Sequence, residues 1–183
     1  MNPVSRILLS RMALFILISS TTLVLTGCSS FPEVKTQAYA QLKTEEIFEA
    51  DFARVWKAIE TAIQPAKVLE RSPTEVSPSE LKKLDLRELK TDWIYSQSRN
   101  KYQEYVINHL PRKVYLQSRY TLRIRAAKTF GGVHVSIETQ EQVQRYRSDG
   151  SLDSFASIGA PDSSRSSEML NKIKFTLLSL PSL

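Results

Sequence analysis

The feature that most constrains the fold is an alternation of apolar and polar side chains across residues 119–146. Alternation with a period of two over this length is typical of β-strands that bury one face. Phe130-Gly131-Gly132 interrupts the pattern near its middle, as expected of a turn between two strands. The sequence therefore predicts a long β-hairpin, and with it an antiparallel sheet. The apolar positions are Tyr120, Leu122, Ile124, Ala126, Val133, Val135 and Ile137.

The hairpin also predicts its own register. Folding the chain about Phe130-Gly131 places apolar residues opposite each other on one face and polar residues opposite each other on the other face. The pairs are Ile124–Ile137 and Ala126–Val135 on the apolar face, and Arg123–Glu138 and Thr121–Gln140 on the polar face. Opposite charges that face each other across strands stabilise a sheet by about 0.2–1 kcal/mol. Because both faces favour one register, a slip by one residue is disfavoured.

Two segments have the periodicity of helices that bury one face. The first begins after Asp51, an N-cap candidate whose carboxylate can accept from free N–H groups of the first turn, and ends before Pro65. The second begins after Asp162 and ends before Pro181. Their apolar faces are Phe52, Val55, Trp56, Ile59 and Ile63 in the first, and Met169, Leu170, Ile173, Leu177 and Leu180 in the second.

Shorter segments complete the predicted fold. The expected strands are 43–50, 67–70 and 87–98, and the expected loops are 72–80 and 148–162. Residues 99–115 fit neither element clearly, because Pro111 interrupts them. We predict an α+β class in a single domain, residues 42–180, with an antiparallel sheet packed against a long C-terminal helix and an N-terminal helix.

The first 28 residues have the layout of an export signal. Arg6 and Arg11 precede an apolar run at 12–25, which is too short for the roughly 20 residues that span a bilayer. The chain then reads Leu25-Thr26-Gly27-Cys28, where Cys28 is the only cysteine. This layout resembles the lipobox of bacterial lipoproteins, which implies cleavage of a signal peptide (1–27) and lipid on Cys28. The alternative is an ordinary secretory signal with an incidental cysteine.

Lipidation would set the location of the mature chain. Similarity to Gram-negative lipoproteins, together with Ser29 after Cys28, implies the periplasmic face of the outer membrane. Residues 28–41 are expected to form a lipidated tether. Removing 1–27 lowers the net charge from +6 to +4, a mild excess that does not by itself indicate a phosphate-binding surface. We expect no nucleic-acid partner, and no cofactor besides the covalent lipid.

Catalytic motifs are weak in this sequence. His109 and His134 lack the spacing of zinc ligands, and Gly-x-Ser-x-Gly is absent. Four acidic residues are expected on edges or turns: Glu45, Glu46, Glu49 and Asp92. Since the two acids of a glycosidase need no fixed spacing in sequence, an envelope hydrolase stays a less favoured alternative. We predict that the protein is not an enzyme.

One basic row stands out on the polar face of the predicted hairpin. Arg119, Arg123 and Arg125 form a candidate docking surface for an acidic partner. The alternative is a solvated sheet face whose charge is balanced by Glu138 and Glu141. Several nearby tyrosines are expected mainly in the core, although tyrosine is also favoured at interfaces.

Several segments together are similar to one protein family. They are the capped helix DFARVWKAIETAI, Thr91-Asp92-Trp93-Ile94, the arginine-rich strand SRYTLRIRA and the Gly-Gly-Val-x-Val strand. They resemble the helix-grip domain of the NlpB/DapX (BamC-like) lipoproteins, accessories of the outer-membrane β-barrel assembly machine. The resemblance covers about residues 43–178. Typical members carry two such domains and a long N-terminal segment.

That resemblance implies a helix-grip-like fold and a binding role without catalysis. The expected partners are the outer membrane, through the lipid, and envelope proteins, including the barrel-assembly machinery. The alternative function is a carrier or sensor of a small apolar ligand, since a sheet closed over a helix can leave a groove.

Overall fold

The computed structural model describes residues 32–146 and 151–181. The predicted signal peptide, the Leu25-Thr26-Gly27-Cys28 motif and the start of the predicted tether lie outside the described residues. The described elements follow one another in this order: β1 Lys35–Thr36, β2 Glu45–Phe48, α1 Phe52–Ile63, β3 Val68–Ser72, α2 Pro78–Leu81, β4 Leu86–Thr91, β5 Ile94–Ile107, β6 Leu110–Thr129, β7 Gly132–Tyr146, β8 Leu152–Ala156 and α3 Ser164–Ser179.

All eight described strands belong to one antiparallel sheet that is built around β6. One side of β6 pairs with β5 and then with β4, and the other side pairs with β7. Outside this centre, β3 pairs with β4 and β1 pairs with β5. On the far side, β2 and β8 pair with two separate segments of β7, at 133–136 and at 143–146.

The predicted α+β, helix-grip-like class is wrong. Strands make up 48% of the chain and helices 22%, and the sheet curls into a half-barrel with a C-terminal helix. The predicted N-terminal helix does not open the fold, since α1 follows two strands. The prediction relied on two strong helical periodicities and left 99–115 unassigned. These residues form a long part of β5 and β6, so the strand content was underestimated.

The hairpin prediction is confirmed with its register. Thr129 pairs with Gly132 at the turn, and the four predicted cross-strand pairs are all present. The hairpin of β5 and β6 was not predicted, although it contains residues 99–115. Its turn has Asn108 and His109 at φ 53° and 62°, the backbone that two-residue hairpin turns favour. Pro111 is compatible with β6 because it lies beside this turn, where a strand can do without one N–H group.

Helix boundaries are close to those predicted, but their caps differ. The helix predicted after Asp51 is present as α1, and the last helix is present as α3. Within the described region, however, Asp51 makes no capping hydrogen bond with its side chain. The 72–80 segment contains the start of α2, which is capped by a reciprocal pair of bonds between Ser77 and Glu80. The predicted loop at 148–162 contains β8.

The core lies between the apolar face of the sheet and the two longer helices. Its fully buried residues include, from α1, β6, β7 and α3, Val55, Trp56, Ile59, Ile124, Val133, Val135, Leu170 and Ile173, and, from β4, Leu89. Arg54 joins the helices, since its guanidinium donates to the carbonyl oxygens of Leu177 (3.3 Å) and Leu180 (2.9 Å). The two longer helices are therefore held together on the apolar face of the sheet by packing and by these two hydrogen bonds.

Gly132 gives a sharp test of how closely β2 approaches the β6–β7 turn. Its φ is +136°, and a Cβ placed there would lie 2.2 Å from the carbonyl oxygen of Phe48. We expect Gly132→Ala to lower the free energy of unfolding by more than about 1 kcal/mol, measured by denaturant unfolding. Gly131→Ala is the matched control, because no atom lies within 4 Å of its added Cβ. Equal effects of the two substitutions would contradict this prediction.

Candidate binding surfaces

The three predicted docking arginines do not form one equivalent row. Arg119 lies between the rings of Trp93 and Phe155, with its guanidinium 4.4 Å from each ring centroid. It also donates two hydrogen bonds to Gln142 Oε1, at 2.9 Å and 2.7 Å. A cation held by two aromatic faces and an amide is fixed in place. Arg119 therefore stabilises the face of the sheet and is poorly placed for a partner.

Arg123 and Arg125 lie together and share one carboxylate. Glu88 Oε2 accepts from Arg125, with distances of 3.0 Å to both Nε and Nη2, while Arg123 Nε lies 3.6 Å from Glu88 Oε1. The predicted cross-strand neighbour Glu138 is opposite Arg123, as expected, but Arg123 forms its ion pair with Glu88. The side chains of Arg123 and Arg125 are 38% and 54% exposed, so solvent and partners can reach them.

Next to these arginines, one edge of β7 lacks a strand partner. Among the described strands, β2 pairs with β7 as far as Ser136 and β8 resumes pairing at Val143. The gap opens into a cleft of about 350 Å³. The cleft is lined by Gln41, Thr44, Arg123, Arg125, Ser136, Ile137, Glu138, Thr139, Pro161, Asp162, Ser163 and Ser166. We call this site the β7 cleft.

The walls of the β7 cleft are held by hydrogen bonds between distant parts of the chain. Leu42 N–H donates to Ser163 Oγ at 2.8 Å, which joins the segment before β2 to the start of α3. Thr139 Oγ1 and Ser166 Oγ are 2.8 Å apart, which joins β7 to the same helix. The cleft is therefore pre-formed, with no large rearrangement needed to admit a ligand.

A cluster of buried charges lies on the opposite face of the same sheet. Glu141 is 7% exposed and its Oε2 is 2.6 Å from Lys101 Nζ, while its Oε1 is 3.7 Å from Arg165 Nη2. Lys101 also donates to Asn100 Oδ1 and to the carbonyl of Ala160, both at 3.1 Å. The expectation that Glu141 balances the surface arginines is therefore wrong, because Glu141 shares the inward face with Ile137.

Arg165 completes this cluster from the first turn of α3. Its Nη2 donates to the carbonyl of Gln97 at 2.8 Å, and its guanidinium lies 3.9 Å from the ring centroid of Tyr120. The cluster links β5, β7 and α3 through side-chain contacts. Lys101 lies within a register shift in β5 between Gln97 and Tyr102, which interrupts the strand's regular alternation. Sequence pattern alone missed this cluster, because that irregularity hides which side chains point inward.

Few of the predicted polar candidates converge. His134 lies on the polar face, 3.3 Å from Glu45 Oε2, and His109 is exposed in the β5–β6 turn. The Asp92 carboxylate accepts from the N–H of Trp93, which lowers the pKa of Asp92. Within residues 32–146 and 151–181, no three His, Cys, Asp or Glu side chains are grouped so as to hold a metal ion.

A second surface is the far end of the β5–β6 hairpin. Beyond Tyr102, β5 pairs only with β6 among the described strands, so residues 103–114 project from the body of the sheet. Its tip exposes four aliphatic side chains, Val106, Ile107, Leu110 and Val114. We call residues 103–114 the projecting hairpin. Exposed apolar residues that cluster in this way mark contact surfaces more often than single exposed residues do.

Comparison with known proteins yields no matching protein-family model and no similar curated protein. The resemblance to NlpB/DapX lipoproteins therefore stays a prediction. Among the described helices, none combines the length and apolar character needed to cross a membrane.

Proposed function

We propose that this chain is a lipoprotein, anchored through Cys28 to the periplasmic face of the outer membrane, that binds segments of envelope proteins without catalysis. Assembly of outer-membrane β-barrel proteins is the process we favour. The observation that carries the binding role is the β7 cleft, where an unpaired strand edge lies beside Arg123 and Arg125.

Backbone direction supports the binding of an extended segment. Ile137 N–H points out of this edge, since it donates to the carbonyl of Thr44 at 2.9 Å. In an antiparallel strand, the N–H and C=O groups of every second residue point to the same side. The backbone groups of Thr139 and Glu141 therefore also point towards the open edge. A peptide that adds a strand gains affinity from such groups and specificity from neighbouring side chains.

The charged residues of the β7 cleft indicate which side chains a bound segment should carry. Arg123 and Arg125 share Glu88, so an incoming carboxylate would supply a second acceptor for two guanidinium groups. Guanidinium–carboxylate bonds are shorter and stronger than neutral hydrogen bonds. Asp162 and Glu138 on the same cleft disfavour a purely acidic ligand. We therefore propose an extended segment with an isolated Asp or Glu, flanked by apolar or neutral residues.

Lipidation would make weak binding sufficient. Attaching a binding domain to the membrane that holds its partner raises the effective concentration of each for the other. Bacterial lipoproteins of the class that the first 28 residues resemble carry more than one acyl chain, and stable anchoring needs more than one such contribution.

The anchor is tested by Cys28→Ala. We expect the substituted protein to appear in the soluble periplasmic fraction, while the parent chain stays in the outer-membrane fraction. Mass spectrometry of the processed parent should show acyl chains on Cys28. Membrane retention of Cys28→Ala after signal cleavage, or an unmodified thiol in the mature parent, would refute lipidation.

The β7 cleft is tested by reversing its two cations in the lipidated protein. A photocrosslinking residue at Gln41, which lines the cleft, should capture envelope proteins in living cells. We expect Arg123→Glu with Arg125→Glu to reduce these products by about tenfold, since like charges at an interface are strongly unfavourable. The control reverses two exposed lysines of other surfaces, Lys57 on α1 and Lys172 on α3, and should leave the products unchanged. Equal yields in both variants would contradict docking at this cleft.

A further inference from the structure

The projecting hairpin extends well past the rest of the sheet. Five residues of β5, 103–107, follow the last pair with β1, which corresponds to roughly 17 Å at 3.4 Å per residue. Its base is braced against the chain that precedes β2. Tyr115 Oη donates to Gln37 Oε1 at 3.2 Å, and Gln103 Nε2 donates to the carbonyl of Pro32 at 2.7 Å. The hairpin is therefore fixed in orientation relative to Pro32.

A salt bridge adds to this bracing. Lys35 on β1 forms an ion pair with Glu104 on the hairpin. The hydrogen bond from Lys35 lowers the pKa of Glu104, and the same bond raises the pKa of Lys35. Lys113 Nζ lies 4.6 Å from the ring centroid of Tyr102, on the same part of the hairpin.

The tip combines exposed aliphatic side chains with cations. Val106 is 76% exposed, Ile107 54% and Leu110 57%. Arg112 and Lys113, two and three residues after Leu110, are also exposed. Aliphatic groups at an extremity with a basic side chain behind them suit the boundary of an anionic bilayer. The apolar stem of Arg112 can lie beside the aliphatic groups while its guanidinium contacts the headgroups.

Strand direction places this tip at the end of the molecule from which the tether leaves. Lys35 pairs with Tyr102 and Thr36 with Lys101, so β1 runs antiparallel to β5. Following the chain from Thr36 back to Pro32 therefore leads towards the hairpin tip. Only four peptide steps separate Pro32 from Cys28, a distance of at most about 14 Å. A lipid on Cys28 would hold Pro32, and the hairpin braced against it, close to the bilayer.

We propose that the tip of the projecting hairpin inserts into the headgroup region of the leaflet that holds the Cys28 lipid, with anionic phospholipid as its ligand. This inference rests on the proposed lipidation. The tip then acts as a second membrane contact, which fixes how the domain is oriented on the surface. Because the β7 cleft lies on β7 and α3, away from the tip, that orientation leaves the cleft accessible to periplasmic partners.

The test uses the lipidated protein, reconstituted into vesicles of phosphatidylethanolamine and phosphatidylglycerol. With Cys28 acylated, Ile107→Cys supplies the only thiol for an environment-sensitive fluorophore. We expect its emission to shift to shorter wavelength and to be quenched by lipid-borne quenchers. Phe175→Cys is the matched control, since Phe175 is a 71% exposed apolar residue on α3. A fluorophore attached at position 175 should show the emission of an aqueous environment.

Further arms separate the possible outcomes. Adding Leu110→Asp and Arg112→Glu to Ile107→Cys should abolish the shift while the protein stays on the vesicles. A label that reports water at both positions on bound protein would overturn the inference but leave lipidation intact. Failure to bind vesicles at all would refute the lipidation and this inference together. A shift seen only in native membranes, and absent in protein-free vesicles, would assign the tip to a protein partner and overturn the inference.

Discussion

Glu141→Gln will lower the free energy of unfolding by about 3–5 kcal/mol, measured by denaturant unfolding. The expected loss is large because Glu141 is the carboxylate between two buried cations, Lys101 and Arg165. Removing one partner of a buried ion pair leaves the other charge in a site of low dielectric constant. Glutamine keeps the shape of the side chain, so the change isolates the charge.

Glu138→Gln is the matched control. It lies on the same strand, three residues away, and its side chain is exposed. We expect the control to change stability by no more than about 0.5 kcal/mol. The double variant Lys101→Met with Glu141→Gln should be less destabilised than the sum of its single changes, because it removes one of the stranded charges. Equal stability of Glu141→Gln and the parent would contradict the role assigned to this cluster.

Trp56→Ala will also lower the free energy of unfolding by about 3–5 kcal/mol. Trp56 is fully buried at the centre of α1, stacked 6.5 Å from the ring of Phe52. The guanidinium of Arg87 lies 4.5 Å from its ring centroid, and burial lowers the pKa of Arg87. Removing the ring therefore leaves a cavity and deprives a buried cation of its aromatic contact.

Phe130→Ala is the control for Trp56→Ala, because Phe130 is a large aromatic side chain fully exposed at the β6–β7 turn. We expect little change in its unfolding midpoint. Comparable losses in the two variants would show that aromatic truncation acts through the unfolded chain, contrary to the packing described for α1.

The spacing of apolar residues along the chain predicted those elements that bury one regular face. The β6–β7 hairpin was predicted with its register because apolar and polar residues alternate on both strands. Both long helices were predicted because their apolar residues recur at helical spacing. The β5–β6 hairpin was missed, since Pro111 suggests a break and its exposed apolar tip matches no half-buried pattern. The fold class was wrong for the same reason.

The binding surfaces were less accessible to sequence reasoning. Arg123 and Arg125 were identified, but no local pattern separates them from Arg119, whose aromatic neighbours come from the β4–β5 turn and from β8. The β7 cleft depends on where β2 and β8 stop pairing, which is a property of tertiary structure. The lipidation motif differs from the β7 cleft in this respect. It is visible in the sequence but lies outside the described residues, so it stays a prediction.

The short β1 strand has a mechanical consequence for an anchored protein. Tension along the tether reaches the sheet through two residue pairs, Lys35–Tyr102 and Thr36–Lys101, the hydrogen bond from Gln37 N–H to the carbonyl of Asn100, and a few side-chain contacts. These contacts should yield long before the core does. Once these contacts and the bond from Leu42 to Ser163 part, the first residue held in the sheet is Glu45, 17 peptide steps from Cys28, instead of Lys35, which is seven steps away, so the reach grows to about 60 Å. The domain would then stretch away from the bilayer under load and return as β1 pairs again.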